Sequence, residues 1–112
     1  MPKNLGYILL FDIYGSLLTQ KQRETLELYY NDDLSLGEIS EESGITRQGV
    51  MNCVKISERR LAELEEQLGL AARFSELGKL IGALEERLDG SGLSEEERTE
   101  IFRLIREIKE KL

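Results

Sequence analysis

Between Ser35 and Ser57 the chain carries two helix-start signals separated by a glycine, and this constrains the fold more than any other feature. Ser35-Leu36-Gly37-Glu38 is a capping box: the Ser hydroxyl and the Glu carboxylate each accept from a backbone N–H that the first helical turn leaves free. The short helix it opens is expected to end near Ser43. Gly44 follows, where a left-handed backbone closes a helix without steric cost. One apolar residue later, Thr46 caps the next helix. A short helix, a tight turn and a second, crossing helix make a helix-turn-helix. Such a unit needs Ile39 and Ile45 packed inward and Val50 and Cys53 facing the first helix, with a small residue, Ser40, at the crossing. Ser43 departs from the pattern, since an apolar residue usually precedes the turn glycine.

The rest of the chain is also helical. Strand-like alternation is absent, and the single proline, Pro2, interrupts no later helix. Leu10, Ile13, Tyr14 and Leu17 recur at helical spacing in a first helix. Thr19 caps a second, and Asn31-Asp32-Asp33 reads as a loop. Val50, Val54, Leu61, Leu64 and Leu68 extend the helix begun at Thr46 as far as Gly69, with Ser57 filling the gap. Phe74, Leu77, Ile81, Leu84 and Leu88 then form a heptad seam. Asp89-Gly90-Ser91-Gly92 is a turn, Ser94 and Glu97 form a second capping box, and Ile101, Ile105, Ile108 and Leu112 mark the last helix. The expected architecture is all-α: a helix-turn-helix domain over residues 1–69, then a C-terminal helical hairpin over 70–112. The late seams fit a core within one chain or a dimer interface. Three such segments exceed what a small bundle needs, so a homodimer is expected. Gly78 and Gly82 read as a close helix contact.

Composition narrows the function. The chain has no His, which removes the commonest general base and transition-metal ligand together. It shows no Gly-rich phosphate loop, convergent carboxylate motif or metal-ligand spacing, so no enzyme, cofactor or metal site is expected. Glu41-Glu42 and Glu65-Glu66 read as solvated helix faces. One Cys, expected to be buried, allows no internal disulfide and fits a reducing cytoplasm. The apolar run Tyr7–Phe11 is too short for a signal peptide, and no stretch approaches a bilayer span. Net charge is −7, unusual for a nucleic-acid binder. Yet Thr46–Arg60 carries Arg47, Lys55, Arg59 and Arg60 against Glu58 alone.

Leu18–Tyr30 (LTQKQRETLELYY) and Leu34–Leu64 (LSLGEISEESGITRQGVMNCVKISERRLAEL) together resemble region 4 of bacterial sigma factors, a helix-turn-helix that reads promoter DNA. Leu26, Leu36, Glu38, Ile39, Gly44, Ile45, Arg47, Val50 and Leu61 are among the matching residues. The stretch LFDIYGSLLTQKQRETLELYYNDDLSLGEISEESGITRQGV is more similar still to the YlxM family of small helix-turn-helix proteins, a likeness covering about residues 5–75. In that family the gene commonly sits beside genes of the signal recognition particle, which implies a link to that pathway. If Thr46 starts the recognition helix, Arg47, Gln48, Met51, Asn52 and Lys55 face outward. Arg47 can reach guanine or phosphate, and Gln48 and Asn52 can read adenine. Lys21, Arg23, Arg59 and Arg60 are candidates for the phosphate backbone, on the expectation that they share one face; each alone also reads as an ordinary surface charge. Gly49 and Met51 depart from sigma region 4, where long polar residues are usual. A DNA-binding regulator is therefore expected, with double-stranded DNA as partner. The alternative is an interaction module for protein or RNA of the signal recognition particle, favoured by the acidity.

Overall fold

A computed structural model describes residues 3–112; Met1 and Pro2, which carry the single proline, lie outside the described residues. The described residues form six α-helices and no strand. They divide into one unit up to Ala71 and a second from Ala72 to Leu112.

The first unit holds α1 (Leu5–Tyr14), α2 (Gln20–Leu26), α3 (Leu36–Ser43) and α4 (Arg47–Leu68). A 3-10 turn, Gly15–Leu17, follows α1, and a wider π turn, Glu27–Asn31, continues α2. The loop read at Asn31 therefore begins one residue later, and Asp33 takes a left-handed backbone with φ of 52°. Thr19 caps α2 through a full capping box with Gln22, a pairing not read from the sequence. Ser35 and Glu38 form the expected box at α3, their reciprocal bonds both 3.1 Å.

The core is built around α4. Val50, Val54, Ser57, Leu61 and Leu64 form its buried stripe, as a spacing of three and four residues requires. Against it pack Phe11 and Tyr14 of α1, Leu26 with the adjoining Tyr29 and Tyr30, and Ile39 of α3. Ser57 is fully buried without cost, because its hydroxyl donates to the Cys53 carbonyl at 2.6 Å. Two expectations about this stripe need correction. Cys53 is only partly buried. It sits about 60° around the helix from Val50, at the margin of the stripe, and Val54 takes the inner place. Leu68 is 48% exposed, so the stripe ends at Leu64.

Buried polar links hold the end of α4. Tyr14 Oη donates to Glu65 Oε2 at 2.8 Å and accepts from Leu70 N at 3.0 Å. Glu65 Oε2 also accepts from Ala71 N at 3.0 Å. Gly69 closes α4 with φ of 63°, as read from the sequence. Tyr30 Oη donates to Glu58, and burial, then this carboxylate, pushes the Tyr30 hydroxyl far above the ordinary tyrosine range.

α5 (Leu70–Asp89), whose first two residues belong to the first unit, and α6 (Glu95–Glu110) are joined by a short turn in the second unit. Lys109 pairs with Glu85 at 2.7 Å, and Arg98 lies 4.0 Å from Asp89. Ser94 caps α6 by accepting from Glu97 N, but the Glu97 carboxylate turns to the Ser94 hydroxyl instead of its backbone, so the box is half formed. Gly78 and Gly82 do not mark a close contact: a Cβ added at either meets nothing within 4 Å.

Candidate nucleic-acid interface

The turn between α3 and α4 is held from both sides. Gly44 adopts φ of 78° and donates its N–H to Ser40 O at 3.0 Å. Ser40 Oγ donates to Ile45 O at 2.5 Å, which explains the need for a small hydroxyl at this crossing. Ser43, the departure from the usual apolar residue, is exposed and donates its hydroxyl to Ile39 O at 2.7 Å. Thr46 Oγ1 accepts from Gly49 N at 3.0 Å and starts α4. A Cβ at position 49 would come within 3.2 Å of that Oγ1, so Gly49 leaves room for the cap that its helix propensity disfavours.

With the turn fixed, periodicity decides what α4 shows to solvent. Gln48, Asn52, Lys55 and Arg59 are all exposed. At about 100° per residue they fall on one line, opposite the buried stripe. Gln48 Nε2 donates to Asn52 Oδ1 at 3.2 Å, so the two amides are already oriented beside each other. Lys55 and Arg59 have no ion-pair partner among the described residues. The basic charge is confined to the first part of α4, because Glu63, Glu65 and Glu66 follow it. Arg60 is drawn toward Glu63 at 3.6 Å.

The other candidates are dispersed. Arg47 is exposed but leans back over α3, its Nε 3.6 Å from where a Cβ on Gly37 would stand. It shares a cleft with Ser35 and Glu38. Met51 is partly buried on that same flank. Lys21 lines a cleft with Ser43 and Ile45, beside the turn that launches α4. Arg23, two residues on, is about 200° around α2 and exposed on its other flank. Lys21, Arg23 and Arg59 thus do not form the single face expected from the sequence. Arg59 and Arg60 border a cleft with Leu17, Thr19, Gln22 and Ile56. Ile56, 54% exposed beside that cleft, was not singled out in the sequence, although it lies outside the buried three-four pattern.

Comparison with known proteins agrees with this geometry. The model of the UPF0122 family, described as "Putative helix-turn-helix protein, YlxM / p13 like", matches residues 1–108. A UPF0122 protein of Halalkalibacterium halodurans is 46% identical over 96 residues, covering 86% of this chain and 88% of its own length. One from Desulforamulus reducens is 49% identical over 82 residues, 73% of this chain and 70% of that protein. One from Bacillus cereus strain AH187 is 46% identical over 99 residues, 88% and 90% of the two chains. No helix among the described residues is long and apolar enough to cross a membrane. With its capped α3, left-handed Gly44 and exposed α4, the chain belongs to the UPF0122 family of YlxM-like helix-turn-helix proteins.

Proposed function

We propose that the protein is a cytoplasmic, non-catalytic regulator that binds duplex DNA through the first half of α4, acting as a pair of copies. The observation that carries this reading is the exposed line Gln48, Asn52, Lys55 and Arg59, directed away from the core on the helix that the turn holds outward. Side-chain amides suit the paired donor and acceptor of adenine in the major groove. Lys55 and Arg59, further along α4, suit phosphates, and Lys21 beside the turn suits another. The test is titration of labelled genomic duplex fragments at low salt with wild type and with Lys55→Ala plus Arg59→Ala. The double variant is expected to lose at least about tenfold in affinity, with a log–log salt dependence shallower by about 2. Wild type binding nothing above background, or the variant binding equally well, removes the DNA reading.

One observation favours a second reading. The helix-turn-helix unit itself holds seven Lys/Arg against twelve Asp/Glu, so its field opposes a polyanion. Should duplex DNA fail, the same α4 surface serves as an interaction module. Protein or RNA of the signal recognition particle would be the first partners to test, following the resemblance to the YlxM family.

A further inference from the structure

Over the first two turns of α4, few side chains are free to meet a base edge. Val50 and Val54 are buried in the core, Cys53 is partly buried at its margin, and Gly49 has no side chain. Met51 is partly buried, and Arg47 leans back over Gly37. Gln48 and Asn52 remain, both exposed and four residues apart on the outward line, with Lys55 and Arg59 beyond them. The polar groups offered by this end of the helix are therefore two carboxamides, while the guanidinium that would suit guanine is directed elsewhere.

The bond between the two amides leaves both of them competent to read a base. A carboxamide has two acceptor lone pairs and two N–H donors. Gln48 Nε2 gives one hydrogen to Asn52 Oδ1 at 3.2 Å. Gln48 keeps its carbonyl oxygen and one N–H, and Asn52 keeps one lone pair and both N–H groups. Each still matches adenine in the major groove, accepting from N6 and donating to N7. Guanine shows two acceptors on that edge, O6 and N7, so an amide carbonyl set against it stays unpaired. Four residues of helix rise about 6 Å, less than two base steps of about 3.4 Å, so the adenines lie at neighbouring or next-neighbouring pairs.

We infer that the DNA read by α4 carries adenine opposite Gln48 and Asn52, and that methylation of those adenines at N6 blocks the complex. The inference rests on the duplex-DNA reading above and adds to it the base read and a control on binding. Adenine N6 carries two hydrogens: one pairs with thymine, and the other points into the major groove, where an amide oxygen accepts it. N6-methyladenine carries only one, and the Watson–Crick pair takes it. The methyl group then stands where Asn52 Oδ1 or Gln48 Oε1 would accept, and the two-bond match is lost. The experiment enriches a randomised duplex library on the full chain at low salt. The selected duplex is then remade with N6-methyladenine, or with 7-deazaadenine, which lacks the N7 acceptor, at one selected adenine at a time. Wild type is expected to bind each altered duplex about 5- to 150-fold more weakly, the fold-change of one good two-bond base contact. Gln48→Ala with Asn52→Ala, both at exposed positions, is expected to bind all the forms alike. Arg47→Ala is expected to leave their order unchanged. Enrichment of guanine in place of adenine, equal binding of the forms by wild type, or a double amide variant that still tells them apart overturns the inference. In each of those outcomes the DNA reading stands if Lys55→Ala plus Arg59→Ala still weakens binding. Enrichment of no duplex removes that reading, and this inference with it.

Discussion

The hydroxyl of Tyr14 should contribute a large part of the stability of the helix-turn-helix unit. Tyr14 is 1% exposed, and its hydroxyl serves two partners at the end of α4. It donates to the Glu65 carboxylate at 2.8 Å and accepts from the Leu70 amide at 3.0 Å. Burial and then the bond to Glu65 raise its pKa, so the hydroxyl stays protonated as a donor at neutral pH. Tyr14→Phe keeps the ring and its packing and removes both bonds. A hydrogen bond to a charged group contributes about 1.5–3 kcal/mol and a neutral one about 0.5–1.5 kcal/mol. Part of the loss is recovered because Glu65 Oε2 keeps the Ala71 amide at 3.0 Å. The expected net cost is about 2–3 kcal/mol, a sizeable share of a total stability of about 5–15 kcal/mol. At about 4–8 °C per kcal/mol for a unit of this size, Tm falls by roughly 10–20 °C. Urea and thermal denaturation measure the loss, and hydrogen exchange should show faster exchange at the Leu70 amide. A double-mutant cycle with Glu65→Gln should give a coupling of about 1 kcal/mol or more. A loss below about 0.5 kcal/mol, with no coupling, would refute the reasoning, since no other interaction of the ring changes.

Two further outcomes follow from the caps and the buried tyrosines. Ser35→Ala removes the acceptor for the Glu38 amide at 3.1 Å and should cost about 1 kcal/mol by denaturation; no change in midpoint would mean that water replaces the cap. Tyr30 has its pKa raised by burial and by Glu58, so its contribution is present below the unfolded tyrosine pKa of about 10 and is lost as pH rises above it. Tyr30→Phe should therefore flatten the alkaline loss of stability above about pH 10, and an unchanged alkaline limb would reject Tyr30 as its source.

Helix boundaries were legible because they rest on local chemistry. Ser35, Gly44, Thr46 and Gly69 act through bonds within one turn of themselves, and each does what its residue type implies. The π turn at Glu27–Asn31 was not legible. It is held by distant groups, among them Lys3, whose ammonium contacts the Tyr29 and Leu34 carbonyls and lies 4.3 Å from the Tyr29 ring centre. Cys53 shows the limit of spacing arguments: both Cys53 and Val54 suit the inner face after Val50, and only the line through Ser57 and Leu61 decides for Val54. The same limit governed the interface. Gln48, Asn52 and Lys55 follow from periodicity alone, because they lie opposite the core. The leaning of Arg47 over Gly37 depends on how α3 packs against α4, which a single sequence does not encode locally, whereas the separation of Lys21 from Arg23, two residues apart on α2, follows from helical periodicity and was legible.

The charge distribution determines what kind of DNA complex the proposed reading permits. Binding through Lys55 and Arg59, with Lys21 and Arg47 at the margins, neutralises only two to four phosphates. The log–log salt dependence should then have a slope of roughly −2 to −4, shallow beside that of a basic repressor. The unit's excess of carboxylates also slows encounter with any polyanion, so non-specific binding has little to sustain it. Affinity must then come from contacts that depend on base identity, and the bonded pair Gln48 and Asn52 is the part of the face able to supply them. Gln48→Ala should accordingly discriminate between mechanisms. In a base-reading complex it lowers affinity for a preferred fragment by about 1–3 kcal/mol and leaves random duplex unaffected. An equal, small loss on every duplex would mean that Gln48 contacts only the backbone, and a protein that binds so few phosphates would then lack the means to choose a site.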